Sequence, residues 1–281
     1  MNTVLTIAHL TFREAIRRRI VIAALILGVA FLVLYDLGVY FILREFAREI
    51  RFRPAEAAER GFAVNFLFLA GMYVVNFLCL AISALISADS LAGEIQSGTI
   101  QAIVTKPIRR MEVVLGKWLG HAFLLMMYLL LIGGGVVASL AIMADFQAAN
   151  WPLGLLLVYF NGLIILSLTL ALSSSLSTLA TGGAVFGAYG LAFIGGWVER
   201  IGSLLNNNTA VNLGIFSSLL LPSEAIWNKA SSLMASRLVG VIGVSPFTSG
   251  SEPSTLMLVY AGLYLVGALF FAIRRFSRRD L

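Results

Sequence analysis

Charge is scarce in this sequence. Only 12% of its 281 residues are Asp, Glu, Lys or Arg, where a soluble domain carries about a quarter. Hydrophobic residues make up 59% and the mean hydropathy is +0.93. A water-soluble fold of this length would lack the polar surface to cover its core, so the solvent for most of the chain is lipid. The single cysteine, Cys79, excludes an intramolecular disulfide. The two histidines, His9 and His121, stand too far apart to read as a zinc-type cluster and suit structural or interfacial roles. Eight methionines are scattered and read as core and lipid contacts, not copper ligands. Bases outnumber acids 20 to 14, for a net charge of +6. With no aromatic-basic platform or reading helix, that excess does not indicate nucleic acid; in a membrane chain it sets orientation.

What remains is long apolar runs. Residues 3–18 carry Leu5, Ala8, Phe12, Ala15 and Ile16 at helical spacing, with Arg13, Glu14 and Arg17 elsewhere. This pattern predicts an amphipathic helix lying in the membrane interface, stopped by Arg17-Arg18-Arg19. It is not a signal peptide, because the next run is too long and no small-residue cleavage site follows. Apolar stretches occupy residues 20–43, 62–88, 118–143, 153–172, 182–198 and 255–273. A helix needs about 20 residues to cross a core of about 30 Å, and only 182–198 falls well short. That run is glycine-rich, and its Gly183–Gly187 pair allows close approach of another helix.

The expected fold is therefore all-α and integral to the membrane: one domain over residues 1–281, with six transmembrane helices. Placing the N-terminus in the cytoplasm puts twelve Lys and Arg residues inside and eight outside, the direction the positive-inside rule favours. Both termini are then cytoplasmic, in the cell's inner membrane. Residues 44–61 form a charged, partly helical outer connection. Residues 173–181 are a small polar inner turn. Between spans five and six, residues 211–221 are apolar but too short to span. Ser223 then N-caps a helix whose apolar face holds Ile226, Trp227, Ala230, Leu233, Met234 and Leu238, with Glu224, Lys229 and Ser232 elsewhere. This predicts outer re-entrant helices, a dip followed by an interfacial helix. Within the spans, Asp36 falls at a solvated outer end, and Asn161 sits mid-span and reads as an interhelical hydrogen-bonding residue.

The inner connection, 89–118, is the most informative. Residues 89–97 extend the second span, Gly98 stops it, and Thr99 caps a short helix through Val104. Thr105-Lys106-Pro107 breaks that helix, and another starts near Arg109. A short helix is thus held across the cytoplasmic mouth, where a soluble partner can push on it. Glu94 is placed to pair locally with Arg109 or Arg110. Lys106, Arg109, Arg110 and Lys117 serve topology, anionic lipid or partner contact equally well. No phosphate-cradling loop is present: G-x-x-x-x-G-K-[ST] fails at Gly116-Lys117, which is preceded by Met111 at the first glycine position and followed by Trp118.

Glu94, Gly98-Thr99, Pro107, Arg110 and Gly116-Lys117 resemble the pattern of ABC-2 type transporter permeases. So do Thr11 to Ala15 with the arginine run, and the ending from Arg275-Phe276 to Leu281. Leu221-Pro222-Ser223-Glu224 to Trp227 resembles the subgroup for maturation of multi-copper enzymes. The resemblance implies a transmembrane permease subunit of an ATP-driven exporter, not itself an enzyme, with six spans. It implies a separate ABC ATPase that holds ATP and Mg, and a second permease copy or sister permease. The coupling residues it implies are Glu94, Gly98, Thr99, Ile100, Ile103, Lys106, Pro107 and Arg110, with an outer gate at Pro222, Ser223 and Trp227. Two other readings stand beside it. An ATPase-independent channel or secondary transporter would need ionisable residues near mid-membrane, and spans two to six offer almost none. A non-transporting assembly subunit is the other. The substrate is not written in the sequence.

Overall fold

The structure, a computed structural model, describes residues 3–49, 54–96, 109–235 and 253–278. Among these residues every regular element is a helix: α1 Thr3–Arg17, α2 Arg19–Glu49, α3 Pro54–Gln96, α4 Arg110–Ala144, α5 Trp151–Ser173, α6 Thr178–Leu204, α7 Asn208–Leu220, α8 Ser223–Met234 and α9 Thr255–Ser277. Helices are what a chain in lipid must form, because each one satisfies its own backbone donors and acceptors. Six of them, α2 to α6 and α9, are long and apolar enough to cross a membrane, and α7 and α8 form a pair bent by 105°. Gly98, Thr99, Ile100, Ile103, Lys106 and Pro107 lie outside the described residues, as does the short helix expected at 99–104.

The helices run further than the apolar stretches predict. The charged connection at 44–61 is mostly absorbed into α2 and α3, the latter opening on Pro54, a residue suited to a first helical turn. The short fifth stretch becomes the 27-residue α6. Ser177 caps it by accepting from the Ala180 N–H, and Arg200 prolongs it because its charge is paired inside the fold. Turns at the far ends use left-handed backbone at Asp145, Asn150 and Asn206, which Asp and Asn tolerate best among residues with a Cβ.

α3 is the axis of the bundle, with 67% of its apolar window buried, against 11% for α2 and for α9, which therefore face lipid. Phe68, Met72, Val75 and Ile82 of α3 meet Leu125, Leu129 and Ile132 of α4 and Val158 of α5 in the main core. Close approach between helices is made by glycine. A Cβ at Gly162 of α5 would stand 2.7 Å from Leu125 of α4, and one at Gly154 would collide with Met234 of α8. By contrast, Gly183 and Gly187 have nothing within 4 Å of a built Cβ, so no described helix of this chain uses that pair.

The amphipathic helix α1 lies across the start of α4, packed so closely that a Cβ at Gly120 would come 2.6 Å from the Ala8 carbonyl oxygen. Phe12 meets Phe123 edge-on at 5.0 Å, while Leu5 and Leu10 stay exposed, as an interfacial helix requires. Arg110, at the start of α4, donates to the Phe276 and Ser277 carbonyls at the end of α9. The starts of α1 and α4 and the ends of α3 and α9 thus share one end of the bundle. Gly120→Ala should cost about 1–3 kcal/mol by forcing α1 away from α4. Gly267→Ala, where a Cβ meets open space, should be neutral or stabilising by up to about 1 kcal/mol. Detergent-solubilised unfolding of the two variants checks the difference.

Candidate functional site

Polar side chains gather in two places, one at each end of the bundle. At the end shared by α1 and α9, Lys117 of α4 reaches Glu94 of α3 at 2.5 Å, with side chains only 5% and 15% exposed. Its Nζ also donates to the Ser90 carbonyl at 2.7 Å. This corrects two expectations. Glu94 pairs with Lys117 rather than staying local with Arg109 or Arg110, and Lys117 is buried rather than presented to lipid headgroups. The reason is helix length: α3 continues to Gln96 and α4 begins at Arg110, so the two helices are still side by side where the charges stand.

Next to this pair, Arg18 at the α1–α2 junction donates to Glu14 at 2.6 Å and to Asp89 of α3 at 2.7 Å. Asp89 in turn accepts from Thr178 at the start of α6. Burial alone would lower the Arg18 pKa; the hydrogen bond and charge of Glu14 and the charge of Asp89 outweigh it and raise it. Ser173, the last residue of α5, enters the ladder of α3. Its hydroxyl donates to the Ala88 carbonyl and accepts from the Leu91 and Ala92 N–H groups. These three bonds fasten the end of α5 to α3 at the level of Ala88 to Ala92. These contacts tie α1, α3, α4, α5 and α6 together where α3 ends and α4 begins. Nothing in the sequence pattern singled out Ser173, which read as part of a polar turn.

At the opposite end, α7 descends along α6, with Gly202 against Ala210 and Gly195 against Ser217. The chain turns at Leu221-Pro222, and α8 packs on α5. Asn161, mid-span in α5, donates both to Asn76 of α3 at 3.0 Å and to the Ser223 carbonyl at 3.2 Å, so the interhelical reading of Asn161 holds. Trp227 is fully buried and packs on Tyr73 at 5.1 Å. Pro222 is the N-cap residue of α8, with no side-chain cap, and the expected Ser223 cap is absent because Ser223 is already the first helical residue. Nor is α8 an interfacial helix with Glu224 turned away. Glu224 is 1% exposed and pairs at 3.0 Å with Arg200 of α6, itself 6% exposed. Asn228 accepts from the same guanidinium at 2.9 Å, and Trp197 lies 5.5 Å from its carbon.

The spans therefore carry more buried charge than their apolar stretches announced. Both pairs stand near helix ends, and deeper in the spans α3 and α5 share the amide contact Asn76–Asn161. Asp36 also departs from expectation: it is half-buried, and its Oδ1 is enclosed rather than solvated.

Of the expected coupling residues, the structure brings Glu94 and Arg110 to one end. Pro222, Ser223 and Trp227 come together under the re-entrant turn at the other. Six spans, a leading amphipathic helix and a bent helix pair before the last span make the layout expected from the resemblance, and comparison with known proteins gives the same family. The ABC-2 family transporter protein family matches residues 5–281. This chain belongs to that family. It is 30% identical over 224 residues, 74% of its length and 78% of the relative's, to "Probable ABC transporter permease protein NosY" of Pseudomonas aeruginosa. A protein of the same name from Stutzerimonas stutzeri is 29% identical over 72 residues, 26% of each chain. The chain is thus a transmembrane permease of the ABC transporter class, in which the ATPase is a partner.

Because each buried charge depends on its counter-charge, Glu224→Ala should cost about 3–5 kcal/mol by stranding Arg200. The paired change Arg200→Met with Glu224→Leu should cost clearly less. A double-mutant cycle in detergent unfolding reads the difference.

Proposed function

We propose that this chain couples ATP hydrolysis on a separate ABC ATPase subunit to movement of substrate out of the cell, as the permease subunit of an ABC-2 exporter. The ATP and Mg belong to that subunit, and a second permease copy or a sister permease completes the complex. Both termini face the cytoplasm in the inner membrane, as the twelve-to-eight placement of Lys and Arg favours. The segment 97–108, with Gly98, Thr99, Ile100, Ile103, Lys106 and Pro107, is the coupling element that receives the push.

The observation that carries this reading is the buried Glu94–Lys117 pair. It clamps the two helices that lead into and out of the coupling segment, so a force on that segment is delivered to α3 and α4 together. The Arg18–Asp89–Thr178 chain spreads the same displacement to α1 and α6. At the far end, Pro222, Ser223 and Trp227 serve as the outer gate, seated on α3 and α5 through Asn161 and Tyr73. Similarity to the NosY permease and the Leu221 to Trp227 segment favour the subgroup for maturation of multi-copper enzymes.

Affinity purification of the tagged chain in mild detergent, followed by mass spectrometry, should return a stoichiometric P-loop ATPase. Its reproducible absence from intact protein would overturn the coupling role and favour an anchoring or channel subunit. In the purified complex, Glu94→Ala combined with Ile103→Glu should abolish permease-dependent stimulation of the ATPase while leaving basal hydrolysis in place. Unchanged stimulation would remove these residues from the coupling path.

A further inference from the structure

A cleft of about 350 Å³ opens where the α5–α6 turn meets the end of α9, lined among the described residues by Ser174, Ser175, Arg275 and Arg278. Among the described residues no carboxylate lines it and neither arginine forms an ion pair. Arginines at the end of a helix ordinarily serve the exposed carbonyls there. Here the Phe276 and Ser277 carbonyls are met by Arg110 of α4, and Arg275 turns the other way. Its Nε donates to the Ser175 hydroxyl at 3.1 Å, which fixes the guanidinium against a neighbouring helix and leaves its forked N–H groups for another acceptor.

The apolar face beside the cleft names that acceptor. α9 is the most lipid-exposed span along with α2, and its Leu263, Val266, Phe270 and Phe271 side chains are exposed. The arginines follow directly on this apolar face in the last turn and C-cap of α9, the place at which a membrane span reaches the headgroup layer. We propose that Arg275, Arg278 and Ser175 form a binding site for the phosphate group of an anionic phospholipid, whose acyl chains run along the exposed face of α9. The guanidinium geometry suits a phosphate in either of its sources, headgroup or free anion. The adjoining apolar face is what selects the lipid. A phosphate held there bridges α9 to the turn that follows Ser173, and so reinforces the seat of α5 on α3. The site is independent of the coupling reading and needs no ATPase.

The test is native mass spectrometry of the purified full-length chain after delipidation, titrated with phosphatidylglycerol or phosphatidylcholine, with and without millimolar inorganic phosphate. The wild type should retain phosphatidylglycerol over phosphatidylcholine. Arg275→Gln should weaken that retention about fivefold, the effect of roughly one basic contact at a membrane surface, and Arg275→Gln with Arg278→Gln should abolish the preference. Arg274→Gln removes the same charge from an exposed residue outside the cleft and should retain lipid as the wild type does. Inorganic phosphate that displaces the lipid at millimolar concentration would overturn the lipid as the ligand and leave a free anion in the same seat. Equal retention of the two lipids by the wild type, or equal loss in the Arg274 and Arg275 variants, would overturn the site itself.

Discussion

A charge withdrawn from water must meet its opposite or not be a charge at all. In this protein that requirement fixes the two ends of the bundle. Lys117 enters α4 seven residues after its start, deep enough that no solvent reaches it, and Glu94 of α3 is there to receive it. The contact therefore determines how far α3 must extend and where α4 must begin. Arg200 and Glu224 do the same at the other end, where they fix α8 against α6. Apolar packing supplies the bulk of the stability, but lipid and protein interior are almost equally apolar, so it says little about which helix sits where. The ion pairs and the Asn76–Asn161 contact carry that information.

This division of labour explains what could be read in advance. Six apolar runs of membrane length survive any arrangement of the helices, so their number, the leading amphipathic helix and the broken pair before the last span were all legible from hydropathy and breakers. Helix boundaries were less so. Polar residues mark an end only when they face water, and Glu94, Lys117, Arg200 and Glu224 do not. Arg200 looked like the edge of a loop and lies within a helix; Glu94, Lys117 and Glu224 were placed on helices, but the partner of each comes from an element distant in sequence. Periodicity placed Glu224 away from the apolar face of α8 for the same reason: that argument assumes one solvated side, and α8 is buried nearly all round.

The family was legible from the residues around segment 97–108 and the two termini. The pairing beside that segment was not. Glu94 was read as an acid for Arg109 or Arg110 and Lys117 as one of a basic group, yet nothing local distinguishes a lysine that snorkels to headgroups from one that turns inward. The Ser173 hydroxyl was less visible still, since a serine at the end of a helix is ordinary until its partner is known.

Ser173 gives α3 a fulcrum. From the Ala88–Ala92 contact to Gln96 the helix extends about 10 Å, and from the same contact back to Pro54 about 50 Å, at about 1.5 Å per residue. A rod tilting about that point has arms in a ratio of roughly one to five. An ångström of travel at the short, charged arm becomes several at the long one. The placement of that contact near one end of a long helix makes the two ends of α3 unequal in reach.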